Sequence, residues 1–193
     1  MAFTRKGYGQ VEPNHLSAQY TGQIYAQLPA LTATVVTGTS EETVYTPIEQ
    51  LENGQFLKYD YAAGCADTVG EGEWLLVYNE EKLYDERYQN HKDFVAKAAD
   101  NFDGKIYPRL LKTNIGDIFT TNTFRSSTPD TVHSNTEEIT MPTLALGDFV
   151  KINSAGWLEG NGTTKPDSGI VFQVVMVYTL PDMQSAVKLQ RIQ

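Results

Sequence analysis

The side chains whose types suit chemistry are scattered in this sequence. Its three histidines, His15, His91 and His133, stand in three different kinds of segment, so no pair has the spacing of a metal site or of a nucleophile and its base. His91 therefore reads as a packing or surface histidine. The adjacent acidic pairs Glu41-Glu42, Glu80-Glu81 and Glu137-Glu138 invite comparison with the two carboxylates of a glycosidase. Neighbouring residues on a strand point to opposite faces, however, and such pairs belong on solvated edges. Asp100-Asn101-Phe102-Asp103-Gly104 begins like a calcium loop but lacks the alternate-position ligands and the distant Glu, which leaves a helix-ending turn. No Gly-x-Ser-x-Gly elbow, phosphate loop, dinucleotide fingerprint or His-Glu-x-x-His is present. The single cysteine, Cys65, has no disulfide partner and reads as a small buried residue. Trp74, Trp157 and the eleven tyrosines are of the type that lines sugar platforms, although core and interface packing is their commoner use. The expectation is a non-enzymatic chain with no catalytic residue, no metal and no cofactor.

The elements that position these groups are announced by a recurring pattern. Gly54-Gln55-Phe56-Leu57-Lys58-Tyr59-Asp60, Gly116-Asp117-Ile118-Phe119-Thr120-Thr121-Asn122 and Gly147-Asp148-Phe149-Val150-Lys151-Ile152-Asn153 share an outline. One polar residue separates a glycine from two large apolar residues, and an Asn or Asp stands six positions after the glycine. The outline predicts turn, short strand, turn: the glycine supplies a positive φ, the apolar pair enters a packed layer, and the Asn or Asp closes the next turn on its own backbone. The glycines lie 62 and 31 positions apart, but the phase near Asp85 is empty, so the copies do not form a solenoid.

Around these copies the texture is mainly β. Thr32–Thr37, Thr43–Thr46, Phe56–Tyr61 and Trp74–Tyr78 are rich in Thr, Val and aromatics and are separated by Gly and Asn turns, as in small β-barrel or sandwich units. Ile170–Tyr178 is almost continuously apolar and predicts a central strand, and Ala186–Gln193 predicts a closing strand with Val187 and Leu189 facing the core. One short helix is predicted over 80–102, where Tyr84, Tyr88, His91, Val95, Ala98 and Phe102 fall at helical spacing. The polar run from Thr120 to Thr136 predicts a long surface loop, and Asn161-Gly162 a turn. Residues 1–30 have no sustained period, too few apolar residues for a core, and several aromatics; they read as an extended N-terminal arm that orders on another surface, the alternative being a terminal strand packed on its own domain. The body, 31–193, then reads either as two related β units, 31–79 and 105–193, joined by the helical segment, or as a chance echo among common turn–strand pairs.

The chain of 193 residues is long enough to bury a sizeable core without staples. Its formal net charge is -9; since residues 1–30 carry Arg5 and Lys6 against Glu12, the remainder carries -10. Such a body repels phosphate backbones, so nucleic acid is not an expected partner. The first residues lack a secretory apolar region, and no apolar run approaches a membrane span, so the expectation is a soluble, cytoplasmically made protein with no membrane partner.

Two segments carry a resemblance. Val11–Gln19 with Thr21–Pro29, and the ending Ser185–Ile192, resemble structural proteins of tailed bacteriophage heads, and among them the capsid decoration, or cement, proteins. The resemblance implies a virion protein, made in the host cytoplasm, that sits on the capsid exterior in repeated copies or as a homo-oligomer. It further implies that the protein bridges neighbouring subunits of the major capsid protein. With the arm as the docking element, Tyr20, Ile24, Tyr25 and Leu28 are its expected contacts. The rival expectations are a neck, tail or fibre adaptor of the virion, and a carbohydrate-binding module or hydrolase acting through Trp74 or Trp157.

Overall fold

The computed structural model describes residues 3–21, 24–25, 28–36, 42–79, 82–85, 90–93, 95–125, 138–180 and 182–193. The chain is mainly β, 47% strand and 5% helical, in several small antiparallel sheets with no closed barrel among the described residues. The recurring pattern folds the same way each time. Gly54, Gly116 and Gly147 have φ of 92°, 96° and 89°. Each is the third residue of a four-residue turn, where a type II turn needs positive φ.

The polar residue after each glycine has a role that the pattern alone did not reveal. Gln55, Asp117 and Asp148 each donate their backbone N–H to the carbonyl three residues earlier, on Glu52, Asn114 and Ala145. Their side chains accept the backbone N–H of those same residues, at 2.6, 2.9 and 2.8 Å. Each turn is thus closed twice before its strand begins, at Phe56–Asp60, Ile118–Thr121 and Phe149–Ile152. The trailing residue closes the next turn in two copies only. Asp60 accepts the N–H groups of Ala62 and Ala63 at 2.9 Å, and Asn153 those of Ala155 and Trp157 at 3.0 Å. Asn122 instead accepts the distant N–H of Gln10 at 2.8 Å.

Two sheets dominate. The six-stranded sheet runs, in spatial order, Leu158–Gly162, Phe149–Ile152, Val171–Thr179, Ser185–Arg191, Ile118–Thr121 and Val11–His15. The five-stranded sheet runs Ile24–Tyr25, Leu110–Leu111, Trp74–Val77, Phe56–Asp60 and Cys65–Asp67. The predicted central strand is interior, and Val187 and Leu189 of the closing strand are buried. Phe56, Leu76 and Leu111 of the smaller sheet share one core with Val11, Phe119, Val150, Phe172 and Leu189 of the larger. The Phe172 ring lies 5.8 Å from Phe56 and, edge-on, 5.4 Å from Phe119. Alternate residues Leu57, Tyr59, Leu75, Val77 and Leu110 enter a second core on the other face of the five-stranded sheet. A sheet buried on both faces explains the near-continuous apolar run Trp74–Tyr78.

Four expectations are corrected. The segment 80–102 is not a helix: Lys82–Asp85 pairs antiparallel with Asn90–Asp93, and Ala96–Lys97 pairs with Gln50–Leu51, before a single 3-10 turn at Ala98–Asp100. Its apolar spacing failed as a helical stripe because its members lie in different environments, with Val95 and Ala98 buried and Phe102 fully exposed. The one helix described is Ser17–Thr21. The described part of residues 1–30 is not an arm laid on another surface but belongs to the body's sheets: Phe3–Lys6 pairs with Glu138–Met141, Val11–His15 with Ile118–Thr121, and Ile24–Tyr25 with Leu110–Leu111, while Val11, Leu16 and Ala18 are core residues. The division into 31–79 and 105–193 does not hold either, since the five-stranded sheet takes strands from both and the two sheets share a core. Finally, Thr120, Thr121, Asn122 and Thr123, the start of the polar run, are fully buried rather than on a surface loop; residues 126–137 lie outside the described residues.

Candidate functional site

The buried threonines belong to a polar junction where the N-terminal segment meets both sheets. Arg5 Nη1 lies 3.0 Å from Glu52 Oε2, both side chains being almost wholly buried. The same carboxylate oxygen accepts the Gly9 N–H at 2.6 Å. Gln10 donates its N–H to Asn122 and accepts the Thr121 hydroxyl, each at 2.8 Å, and its side-chain amide donates to Asp182 at 2.8 Å. Thr123 donates to the Asn53 carbonyl at 2.8 Å, and Thr120 to Asn14 Oδ1 at 2.7 Å. Gly9 is required here, because a β-carbon on it would overlap Thr123, Arg5 and the Asn53 carbonyl. Its centre is buried, with Asn14 exposed at the rim and the Asn122 side-chain nitrogen lacking a hydrogen-bond partner among the described residues, and the cluster clamps the N-terminal segment to the body. Sequence reasoning missed it because its members are spread over residues 5 to 182, and only the Asn or Asp position of the recurring pattern hinted at Asn122.

Of the four expected contacts, the structure describes the side chains of Tyr20 and Leu28. Tyr20 is exposed, its ring 6.0 Å from His15. Leu28 packs half-buried against the second core. Ile24 and Tyr25 form an edge strand of the five-stranded sheet, and their side chains lie outside the described residues. Of the histidines, His15 is exposed, His91 stands opposite Tyr84 in a hairpin register, and His133 lies outside the described residues. Each acidic pair also includes a residue outside them. Among the described residues no group of three His, Cys, Asp or Glu is placed to hold a metal. Cys65 is fully buried, and burial, with the Asp67 and Asp60 charges, pushes its thiol up to about 11, the opposite of a reactive thiolate.

Neither tryptophan forms a sugar platform. Trp157 is buried beneath Arg125, whose guanidinium carbon lies 4.8 Å from the ring centroid, and half-buried Trp74 is covered by the Lys58 ammonium at 4.5 Å. The exposed aromatic that stands out is Phe102, at the apex of a braced turn. Asn101 donates its N–H to the Ala98 carbonyl and its side-chain amide to the Lys105 carbonyl, the latter at 2.7 Å. Gly104, at φ 66°, donates back to Asn101. Asp103 accepts the Lys105 N–H at 3.2 Å and the Tyr107 hydroxyl at 2.9 Å. The would-be calcium ligand is thus committed to its own turn. The Tyr107 hydroxyl, and less so the Lys105 amide, hold the Asp103 carboxyl below its ordinary value against a smaller desolvation effect. Tyr107→Phe therefore raises the Asp103 pKa towards that of a free aspartate, measurable by carbon NMR titration of the carboxyl; an unmoved titration would remove the hydroxyl from the brace.

A cleft of about 580 Å³ opens at the margin of the five-stranded sheet. It is lined by two segments, Tyr59–Ala62 and Glu71–Glu73, and by Leu75. The rings of Tyr59 and Tyr61 meet edge to face at 5.5 Å and 68°. Gly72 lets its loop lie against the strand, since a β-carbon there would press on the Tyr59 carbonyl. Glu73 is already neutralised, 2.9 Å from Lys112 and 3.2 Å from Arg191. Partial burial pushes its pKa up, but the hydrogen bonds and charges of those two cations outweigh it and leave the carboxyl below its usual value. No family model matches this chain, and no curated protein or solved structure matches it.

Proposed function

We propose that this chain is a non-enzymatic virion structural protein that binds the outside of a tailed-phage head and bridges neighbouring major capsid subunits. The observation that carries the docking half of this reading is Phe102. A fully exposed phenylalanine is unfavourable in water, and here a network of hydrogen bonds holds it out rather than letting it fold back. An aromatic presented on a braced backbone is a usual anchor of a protein interface, and Tyr107 on the same turn is also exposed. The phage assignment itself rests on the resemblance of residues 11–29 and 185–192. A β body of net charge -9 resists aggregation at high copy number, and repetition over a shell converts modest contacts into a firm coat.

The test is co-sedimentation with undecorated shells. The wild-type chain pellets with them at a fixed stoichiometry, while Phe102→Ala binds at least about tenfold more weakly. Its thermal midpoint stays unchanged, because the ring makes no buried contact. A wild-type chain left in the supernatant overturns the reading, and a Phe102→Ala chain that binds normally removes the anchor. A low, ring-sized copy number per virion assigns the protein to a neck or tail adaptor instead.

A further inference from the structure

We infer that the Tyr59–Tyr61 cleft is a receptor for a basic side chain, arginine or lysine, of a docking partner. Buried and half-buried rings in this molecule repeatedly sit beneath a cation. Both tryptophans are covered by a cation of the chain, as are Tyr8, 5.9 Å from Lys97, and Tyr178, 6.0 Å from Lys188. Tyr61 is 73% exposed and carries no such cation among the described residues. Its surroundings suit one better than theirs do.

The charge around the cleft is complementary to a cation. Lys112 and Arg191 neutralise Glu73, which leaves Asp60 and Glu71 facing the cavity without a cation of their own among the described residues. Asp60 Oδ1 is used by the Ala62 and Ala63 amides, so its position is fixed by its own turn. Glu71, on the other lining segment, is exposed and makes no ion pair or hydrogen bond among the described residues. A cation entering the cleft meets a carboxylate from each lining segment and an aromatic ring, with Leu75 and Tyr59 lining the same space for its alkyl stem. A volume of about 580 Å³ exceeds one side chain and admits the flanking residues of an extended segment as well. The cation chemistry stands on the cleft alone; that the partner is a capsid subunit rests on the function proposed above.

Two experiments separate these. In the first, the intact protein is titrated with the tripeptide acetyl-Gly-Arg-Gly-amide and with its citrulline counterpart, which has the same shape without the charge, while the Tyr59 and Tyr61 ring resonances are followed by NMR. The arginine peptide is expected to shift both rings saturably and the citrulline peptide to leave them in place. Tyr61→Ala and Glu71→Gln should each weaken the arginine peptide by about threefold or more, the size of one exposed cation–π or charge contact. Equal responses to the two peptides, or variants that bind like wild type, overturn the inference. So does a shift of the same rings by neutral cellobiose or maltose but not by arginine, which would make the cleft a saccharide site. In the second experiment Glu71→Lys, which places the chain's own cation at the cleft, is co-sedimented with undecorated shells. Loss of binding with an unchanged thermal midpoint is expected. Normal shell binding by Glu71→Lys beside a positive peptide titration keeps the cation site but detaches it from the capsid, whereas failure of the wild type to bind shells overturns the function and leaves the peptide result standing.

Discussion

Glu52→Ala lowers the stability of this protein by about 3–5 kcal/mol, because it removes the buried carboxylate that balances the Arg5 guanidinium. Both side chains of the pair are almost fully buried, and the lost carboxylate also accepts the Gly9 N–H. A buried cation whose counter-ion has been removed cannot recover its hydration without opening the junction, and the junction is where the N-terminal strands are fastened. The double variant Arg5→Met with Glu52→Gln is expected to regain most of the loss, since no charge is buried and the glutamine carbonyl still accepts from Gly9. Urea denaturation of the three proteins measures this. If Glu52→Ala costs under about 1 kcal/mol, or if the double variant is no better than the single one, the clamp is not electrostatic. For the same reason deletion of residues 2–28 is no test of docking, because it removes Arg5, Val11, Leu16 and Ala18 from the interior and unfolds the body.

Gly156→Ala is the second large effect, roughly 3 kcal/mol. Gly156 has φ 79°, accepts the Phe56 N–H at 2.7 Å, and lies so close to that strand that an added β-carbon would overlap the Phe56 carbonyl. The substitution therefore meets a left-handed backbone penalty and forces apart a backbone hydrogen bond that joins the two sheets. Gly147→Ala is the control. Its φ of 89° carries the same conformational penalty, but nothing stands within 4 Å of the added carbon, so it costs only about 1 kcal/mol. Equal losses in the two variants, by thermal or urea melts, would rule out the close approach as the cause.

The recurring glycine pattern was legible because each copy is a local device. A turn, its glycine and the strand that follows depend on residues within seven positions of each other, and all three glycines have the positive φ the pattern requires. The strands Leu31–Val36, Glu42–Pro47 and Trp74–Val77 were legible for the same reason, through Thr, Val and aromatic content bounded by turn residues. The segment 80–102 was misread because six residues at helical spacing are a weak signal when no partner surface is known. Cross-strand pairing of Tyr84 with His91, and of Ala96 with Leu51, overrides such propensity. The run Thr120–Thr123 was misread because polar residues are usually solvated. These are buried because Gln10, Asn14 and Asn53 supply their hydrogen bonds from 70 to 112 positions away.

Composition and contacts a few residues long were enough to fix the β class and the three turn-closed strand entries. Long-range packing placed residues 3–21 in the body and gave the two sheets one core. It alone also decided that Phe102 and the Tyr59–Tyr61 cleft are left facing outward. Those outcomes depend on pairings between residues far apart in the chain, and the burial of a side chain is a property of what is packed against it rather than of its own type.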